Sequence, residues 1–109
     1  MILNFSKYQG TGNDFVMVND IAGILGDISI DVVKQICHRR FGVGADGLIM
    51  IKPDKLYDFE MVYYNSDGSQ SFCGNGARCT VMFAKDMGII SDKTSFLAID
   101  GVHNAHFEN

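Results

Sequence analysis

The sequence predicts an α+β domain in which several strands surround one buried helix. Three observations predict this fold class: strand-like runs recur along the chain, two segments have helical spacing, and the second helical segment is apolar on nearly all sides. Such a helix is normally buried within a fold. With 109 residues, 47% hydrophobic and 20% charged, the chain is large enough for one small domain or part of a larger one.

The strands are predicted from apolar and aromatic runs that are bounded by turn residues. The predicted strands are Ile2–Lys7, Asp14–Asn19, Gly47–Lys52, Tyr57–Tyr64 and Ser95–Asp100, with Val102–Phe107 as a weaker candidate. In the fourth run Phe59, Met61 and Tyr63 occupy alternate positions, which is the period of a half-buried strand. The segment Asn65-Ser-Asp-Gly68 then predicts a turn that reverses the chain.

Two helices are predicted between these strands. The first is expected to begin after Ser29, which can cap it, and to continue through the Arg39–Arg40 pair until Gly42 stops it. The two arginines suit the negative C-terminal end of a helix. The second helix is expected from about residue 75 to residue 87, and its segment Ala77–Ala84 is the apolar one.

Composition argues against several classes of partner. The net charge is −4 and Arg39–Arg40 is the single basic pair, so the basic patch of a nucleic-acid-binding protein is missing from the sequence. No apolar run approaches the roughly 20 residues that span a bilayer. Residues 1–7 lack the order of a signal peptide, and three cysteines are too few for a disulfide framework. We therefore expect a cytoplasmic protein with no nucleic-acid or membrane partner.

The strongest candidate site is the loop before the second helix, which carries Cys73, Gly74, Asn75 and Gly76. A helix N-terminus has unpaired N–H groups and a partial positive charge, so a thiolate at Cys73 would be stabilised. The glycines let a ligand approach the backbone, whose N–H groups could bind a carboxylate. A second interpretation stays open, in which Cys73 is a small buried hydrophobe and the glycines only shape a turn.

Two further glycine-rich loops are weaker candidates. In Gln9–Phe15 an amide of Asn13 could bind an amino-acid ligand, although the loop taken alone favours the interpretation in which Asn13 and Asp14 cap a turn. In Phe41–Gly47 the carboxyl of Asp46 could orient neighbouring backbone or act as an acid. A structural role accounts for most of this third loop.

No pattern of metal ligands is recognisable. The cysteines do not form a paired knuckle, and His103 and His106 stand three apart on a strand, where they face opposite sides. Cys37 and Cys79 are expected to pack in the core. We therefore expect no metal site.

Taken together, the loops resemble those of the diaminopimelate epimerase family. The resemblance is carried by Gly10-Thr-Gly-Asn-Asp-Phe15, Gly42-Val-Gly-Ala-Asp-Gly47, Tyr64-Asn-Ser-Asp-Gly68 and Cys73-Gly-Asn-Gly-Ala-Arg-Cys79. It implies an isomerase that interconverts LL- and meso-diaminopimelate without cofactor or metal, in the synthesis of lysine and peptidoglycan precursors. It also implies two similar domains, each with strands around a central helix, and a homodimer of the full-length protein.

The resemblance also implies roles for individual residues. Two cysteines of the family face opposite sides of the substrate α-carbon, where one removes a proton as thiolate and the other returns one as thiol. Cys73 matches the first of these, Asn13 and Asn65 match substrate-binding asparagines, and Gly74 and Asn75 match the backbone that holds the α-carboxylate.

The sequence departs from the family pattern in two respects. Gly47 stands where many members carry glutamine, and the second cysteine motif of the family has no counterpart in these residues. We therefore expect residues 1–109 to be an N-terminal diaminopimelate epimerase-like domain that is cut short, with the second domain absent and the fragment inactive alone.

Two alternatives remain at this stage. One is another isomerase of the same superfamily, similar to proline racemase or to phenazine-biosynthesis isomerases. The other is a non-catalytic module that binds a carboxylate, because half of an active site could still hold one.

Overall fold

The computed structural model describes residues 3–108, which form six strands and two helices. The elements, in chain order, are β1 (Ser6–Gly10), β2 (Asn13–Asn19), α1 (Ile30–Cys37), β3 (Gly47–Lys52), β4 (Phe59–Asn65), α2 (Gly74–Asp86), β5 (Lys93–Ala98) and β6 (Gly101–His106). The strands form one mixed sheet in sequence order. This architecture confirms the α+β class.

The sheet is built from three antiparallel hairpins that are joined by two helical crossovers. Strands β1–β2, β3–β4 and β5–β6 pair antiparallel, whereas β2–β3 and β4–β5 pair parallel. Since β4 runs opposite to β2, two crossovers of the same hand place their helices on opposite faces of the sheet.

Alternate residues of the central strands supply two separate cores. On the α2 face, Phe15, Ile49 and Tyr63 belong to a cluster that includes Cys79 and Phe83 of the helix. The opposite face has its own cluster, formed by Val16, Val18, Leu48, Met50 and Tyr64 with Val33 and Cys37 of α1. The central strands are therefore covered on both sides, which fixes their register.

Most strand predictions are confirmed within one or two residues, and Gly47–Lys52 is confirmed at both ends. The first strand is shifted: it covers Ser6–Gly10 rather than Ile2–Lys7, and Ile2 lies outside the described residues. The reason is the hairpin, in which Gly10 pairs with Asn13 and leaves a two-residue turn. Turn geometry therefore sets the bounds of this strand.

The first helix ends earlier than expected. Its cap is confirmed, because Ser29 Oγ accepts a hydrogen bond 3.2 Å long from a helix N–H. The helix stops at Cys37, however, and the imidazole of His38 accepts hydrogen bonds from two backbone N–H groups of the turn that follows. Gly42 then packs on the helix end, where a Cβ would lie 1.9 Å from the carbonyl oxygen of Gln35.

The second helix is confirmed over Gly74–Asp86, and its apolar face packs on the sheet. The helix is not buried on nearly all sides as its composition predicts, because Met82 in its middle is 45% exposed. Within residues 3–108, no helix is long and apolar enough to cross a membrane.

Candidate active site

Four chain segments meet at one end of the sheet. Strands β2 and β3 both begin there, with Phe15 opposite Gly47, and β4 ends there, with Asn65 opposite Gly47. Helix α2 begins at the same end, because the side chain of Asn75 donates a 2.8 Å hydrogen bond to the amide oxygen of Asn13. The topology thus brings together loops that are far apart in sequence.

Cys73 occupies the cap of helix α2. Its Sγ accepts a hydrogen bond from the N–H of Gly76 at 3.4 Å, and its side chain is half-buried. This contact occupies the N–H of Gly76, which belongs to the loop backbone that was predicted to bind a carboxylate. Within residues 3–108, the N–H groups of Gly74 and Asn75 have no hydrogen-bond partner. A Cβ on Gly74 would have no atom within 4 Å, so the backbone is open to a ligand there.

The side chain of Asn13 bonds both to the start of α2 and to the loop that precedes β3. Its amide oxygen accepts from Asn75, and its amide nitrogen donates to the carboxylate of Asp46 at 3.2 Å. Asp46 also accepts from the backbone N–H of Asp14 at 3.1 Å. Of the two roles considered for Asp46, these contacts are those of an orienting residue.

Asn65 lies at the end of β4, near the loop that leads to Cys73. Its amide nitrogen donates to the hydroxyl oxygen of Ser71 at 3.0 Å, and its amide oxygen accepts from the hydroxyl of Tyr63 at 2.8 Å. The structure therefore places Asn13, Asn65 and Cys73 at the same sheet end. Their part in binding a substrate stays a prediction.

A compact network of charges, which sequence analysis missed, supports the β2–β3 edge. Arg39 makes two hydrogen bonds to the carboxylate of Asp14, 2.7 and 2.8 Å long, and a third to Asp46 at 3.0 Å. Lys7 lies 3.1 Å from the same Asp14 carboxylate. The Arg39 guanidinium, assisted by Lys7, holds the pKa of Asp14 well below its usual range. No local pattern indicates this pairing, because Arg39 follows Asp14 by 25 positions.

The other two thiols are confirmed as core residues. Cys37 is 3% exposed and Cys79 is 4% exposed. Burial raises the pKa of both thiols, because desolvation disfavours the thiolate. Cys73 is therefore the most accessible of the three.

His103 belongs to an aromatic stack beside the Cys73 loop. Its ring lies 4.4 Å from that of Phe72 and 5.5 Å from that of Phe96, and its Nε2 is 2.7 Å from a carboxylate oxygen of Asp100. His106 points to the opposite side of β6, as the spacing predicts. Residues 3–108 contain no group of three or more potential metal ligands.

Two surface grooves are lined by residues other than Cys73, Asn13 and Asn65. One of about 800 Å³ lies beside the segment that precedes β4, where β5 begins and β6 ends, and is lined by Asp58, Thr94 and His106 among others. Another, of about 350 Å³, lies between α2 and β6.

The fold is shared with other proteins of known structure. A PhzF-family phenazine biosynthesis protein from Bacillus anthracis superposes with a TM-score of 0.70 at 14% identity, covering 97% of this chain and 35% of its own. A methylitaconate-delta-isomerase superposes with a TM-score of 0.74 at 12% identity, covering 98% and 35%. At such identities the likeness concerns the fold.

Sequence comparison defines the family within that fold. The model of the family described as diaminopimelate epimerase matches residues 5–101. The diaminopimelate epimerase of Flavobacterium psychrophilum is 56% identical over 100 residues, which is 91% of this chain and 39% of the relative. That of Clostridium perfringens is 39% identical over 108 residues, 97% of this chain and 40% of the relative. The chain belongs to the diaminopimelate epimerase family and spans about two fifths of the length of these relatives.

Proposed function

We propose that this chain supplies one half of the active site of a cofactor-independent epimerase acting on LL- and meso-diaminopimelate. The observation that carries the proposal is Cys73 at the start of α2, flanked by unpartnered N–H groups and by the amides of Asn13 and Asn65. An acid or base, a carboxylate-binding backbone and polar side chains for a zwitterion thus lie at one sheet end.

Each group has a distinct task in this proposal. The N–H groups of Gly74 and Asn75 bind the α-carboxylate, so that they stabilise the charge that develops when the α-proton leaves. Cys73 exchanges that proton as thiolate or thiol. Asn13 and Asn65 bind the polar groups of the substrate, since an amide both donates and accepts.

Inversion of the α-carbon needs a second acid or base on the opposite face. Cys37 and Cys79 cannot serve, because both are buried in the two cores. The second group must come from another part of a longer protein. Residues 1–109 alone therefore give no epimerisation, although they can still bind a carboxylate.

The activity is tested with a fusion of residues 1–109 to the part of the Flavobacterium psychrophilum relative that follows the matched region. The identity of 56% supports a native interface between the two parts. The fusion should convert LL-substrate to meso-product, while residues 1–109 alone should not. A folded fusion without turnover, beside an active full-length relative, contradicts the proposal.

The same fusion separates the proposal from its alternatives. Another isomerase of this fold would bind diaminopimelate poorly and accept a different substrate, whereas a non-catalytic module would bind diaminopimelate without exchanging its α-proton. A cytoplasmic role in lysine and peptidoglycan-precursor synthesis follows from this activity and suits three free thiols. A homodimer of the longer protein stays a prediction.

A further inference from the structure

Gly47, at the start of β3, is required by its contact with the ring of Tyr63. A Cβ on Gly47 would lie 2.4 Å from Cε1 of Tyr63 and 2.8 Å from the carbonyl oxygen of Tyr64. The first of these atoms belongs to a ring that is only 7% exposed, and the second belongs to the backbone of a paired strand. Moving either atom would disrupt core packing or strand pairing. The Tyr63 ring therefore fits only because Gly47 has no side chain.

The Tyr63 ring is fixed from a second side as well. Phe15 packs against it edge-on, with ring centroids 5.9 Å apart and an interplanar angle of 76°. Phe15 is also the residue that pairs with Gly47 across β2 and β3. The ring is therefore held between β2, β3 and β4. Rotation about its own side-chain bonds cannot move it away from position 47.

This position aims the Tyr63 hydroxyl at Asn65. The hydroxyl donates to the Asn65 amide oxygen at 2.8 Å. Burial, with a smaller contribution from the nearby Cys73, raises the pKa of Tyr63 to about 12. The hydroxyl therefore keeps its proton at neutral pH and remains a donor.

The other half of the Asn65 amide is bound on the opposite side. Its nitrogen donates to the carbonyl oxygen of Ser69 at 3.2 Å and to the hydroxyl oxygens of Ser69 and Ser71 at 3.1 and 3.0 Å. A carbonyl oxygen only accepts, so it selects the orientation in which the nitrogen faces Ser69. The amide oxygen then faces Tyr63, whose hydroxyl donates to it and leaves its second lone pair for a ligand.

We propose that Tyr63, admitted by Gly47, is a positioning residue that holds the Asn65 side chain in its binding orientation. A larger residue at position 47 requires a smaller one at position 63, so the two positions act as a pair. The significance of this pair for substrate binding rests on the proposed function. The positioning itself does not.

The first arm of the test observes the Asn65 side-chain amide by NMR in the intact 109-residue chain. Tyr63→Phe removes only the hydroxyl, and the side-chain amide signals of Asn65 should shift, because the amide oxygen loses the donor that holds it in place. The control is Tyr64→Phe, which makes the same change at the neighbouring residue on the opposite face. It should leave the Asn65 signals unchanged.

Gly47→Ala is the second variant, and it should shift the same Asn65 signals because it displaces the ring. If this variant does not fold, Tyr63→Phe alone decides the question. Asn65 signals that do not respond to Tyr63→Phe, or that respond equally to Tyr64→Phe, overturn the proposal.

The second arm measures kinetics in the fusion protein described above. Tyr63→Phe should raise KM about five- to tenfold and change kcat less, because it loosens a binding residue rather than the acid or base. An unchanged KM together with altered Asn65 signals overturns the role in binding. An inactive parent fusion rejects the proposed function instead, and the NMR arm still decides the positioning.

Discussion

Two neighbouring groups of residues at one end of the sheet use polarity in opposite ways. Lys7, Asp14, Arg39 and Asp46 form ion pairs with one another, two cations against two carboxylates. The groups around Cys73 are uncharged amides, hydroxyls and backbone N–H groups. We call the first set the charge network and the second the Cys73 end. Charge at this edge therefore stabilises the scaffold, while the uncharged N–H groups of Gly74 and Asn75 are without a partner among residues 3–108.

The largest expected contrast concerns the thiols. Cys73 in the intact chain should react with iodoacetamide about a hundredfold faster than Cys37 or Cys79, because buried thiols react only after local opening. Peptide mapping after brief treatment near neutral pH measures the three rates. Faster labelling of Cys37 or Cys79 would show that Cys73 is not the reactive thiol.

The next contrast is one of stability. Asp14→Asn should lower the free energy of unfolding by about 2 kcal/mol at pH 7, because it breaks charge-assisted hydrogen bonds to Arg39. Urea denaturation measures this loss. Asp27→Asn is the matched control, since Asp27 is exposed and makes no ion pair among residues 3–108, and its effect should be near zero.

The same variant has a defined pH dependence. Since the pKa of Asp14 is lower in the folded protein than in the unfolded chain, its stabilisation is present above the unfolded value, near pH 4. It is lost as the pH falls further through the folded value. The difference between wild type and Asp14→Asn should therefore be constant from pH 5 to 8 and should shrink below about pH 4. A constant difference down to pH 2 contradicts this.

The smallest effect tests the turn that brings Asn13 to the site. Thr11 has φ of 50° and Gly12 has φ of 88°, the left-handed pair that favours Asn-Gly. Thr11→Asn should stabilise the chain by about 0.5 to 1 kcal/mol in thermal unfolding, by relieving strain. Gly12→Ala should have the opposite sign, and equal signs for the two variants would refute the turn assignment.

Local pattern predicted much of the fold. The alternation of Phe59, Met61 and Tyr63 indicated β4, and the cysteine-glycine loop indicated the start of α2. The end of α1 could not be predicted, because Arg39 lies beyond the helix and binds Asp14, which is 25 positions away in the sequence. Helical spacing contains no information about so distant a partner.

The candidate site divides in the same way. The functional residue types were recognisable in the three loops, whereas the residues that hold them in place were not. The Asn13–Asn75 bond spans 62 positions. Tyr63 was predicted as a strand residue only, since nothing local shows that Gly47 leaves room for its ring. Long-range pairing, which the sheet topology creates, decides these contacts.

The most direct test of the central claim, that Cys73 is one of two opposed acid/base groups, is isotope exchange by the fusion protein in deuterated water. Starting from LL-substrate and sampling early turnover, two opposed groups should give deuterium at the α-carbon of the meso product and none in the recovered LL-substrate. The fusion with Cys73→Ala should incorporate none, whereas Cys79→Ala should behave like the parent. Early deuterium in the recovered substrate, or exchange that survives Cys73→Ala, would show that Cys73 is not one of two opposed acid/base groups.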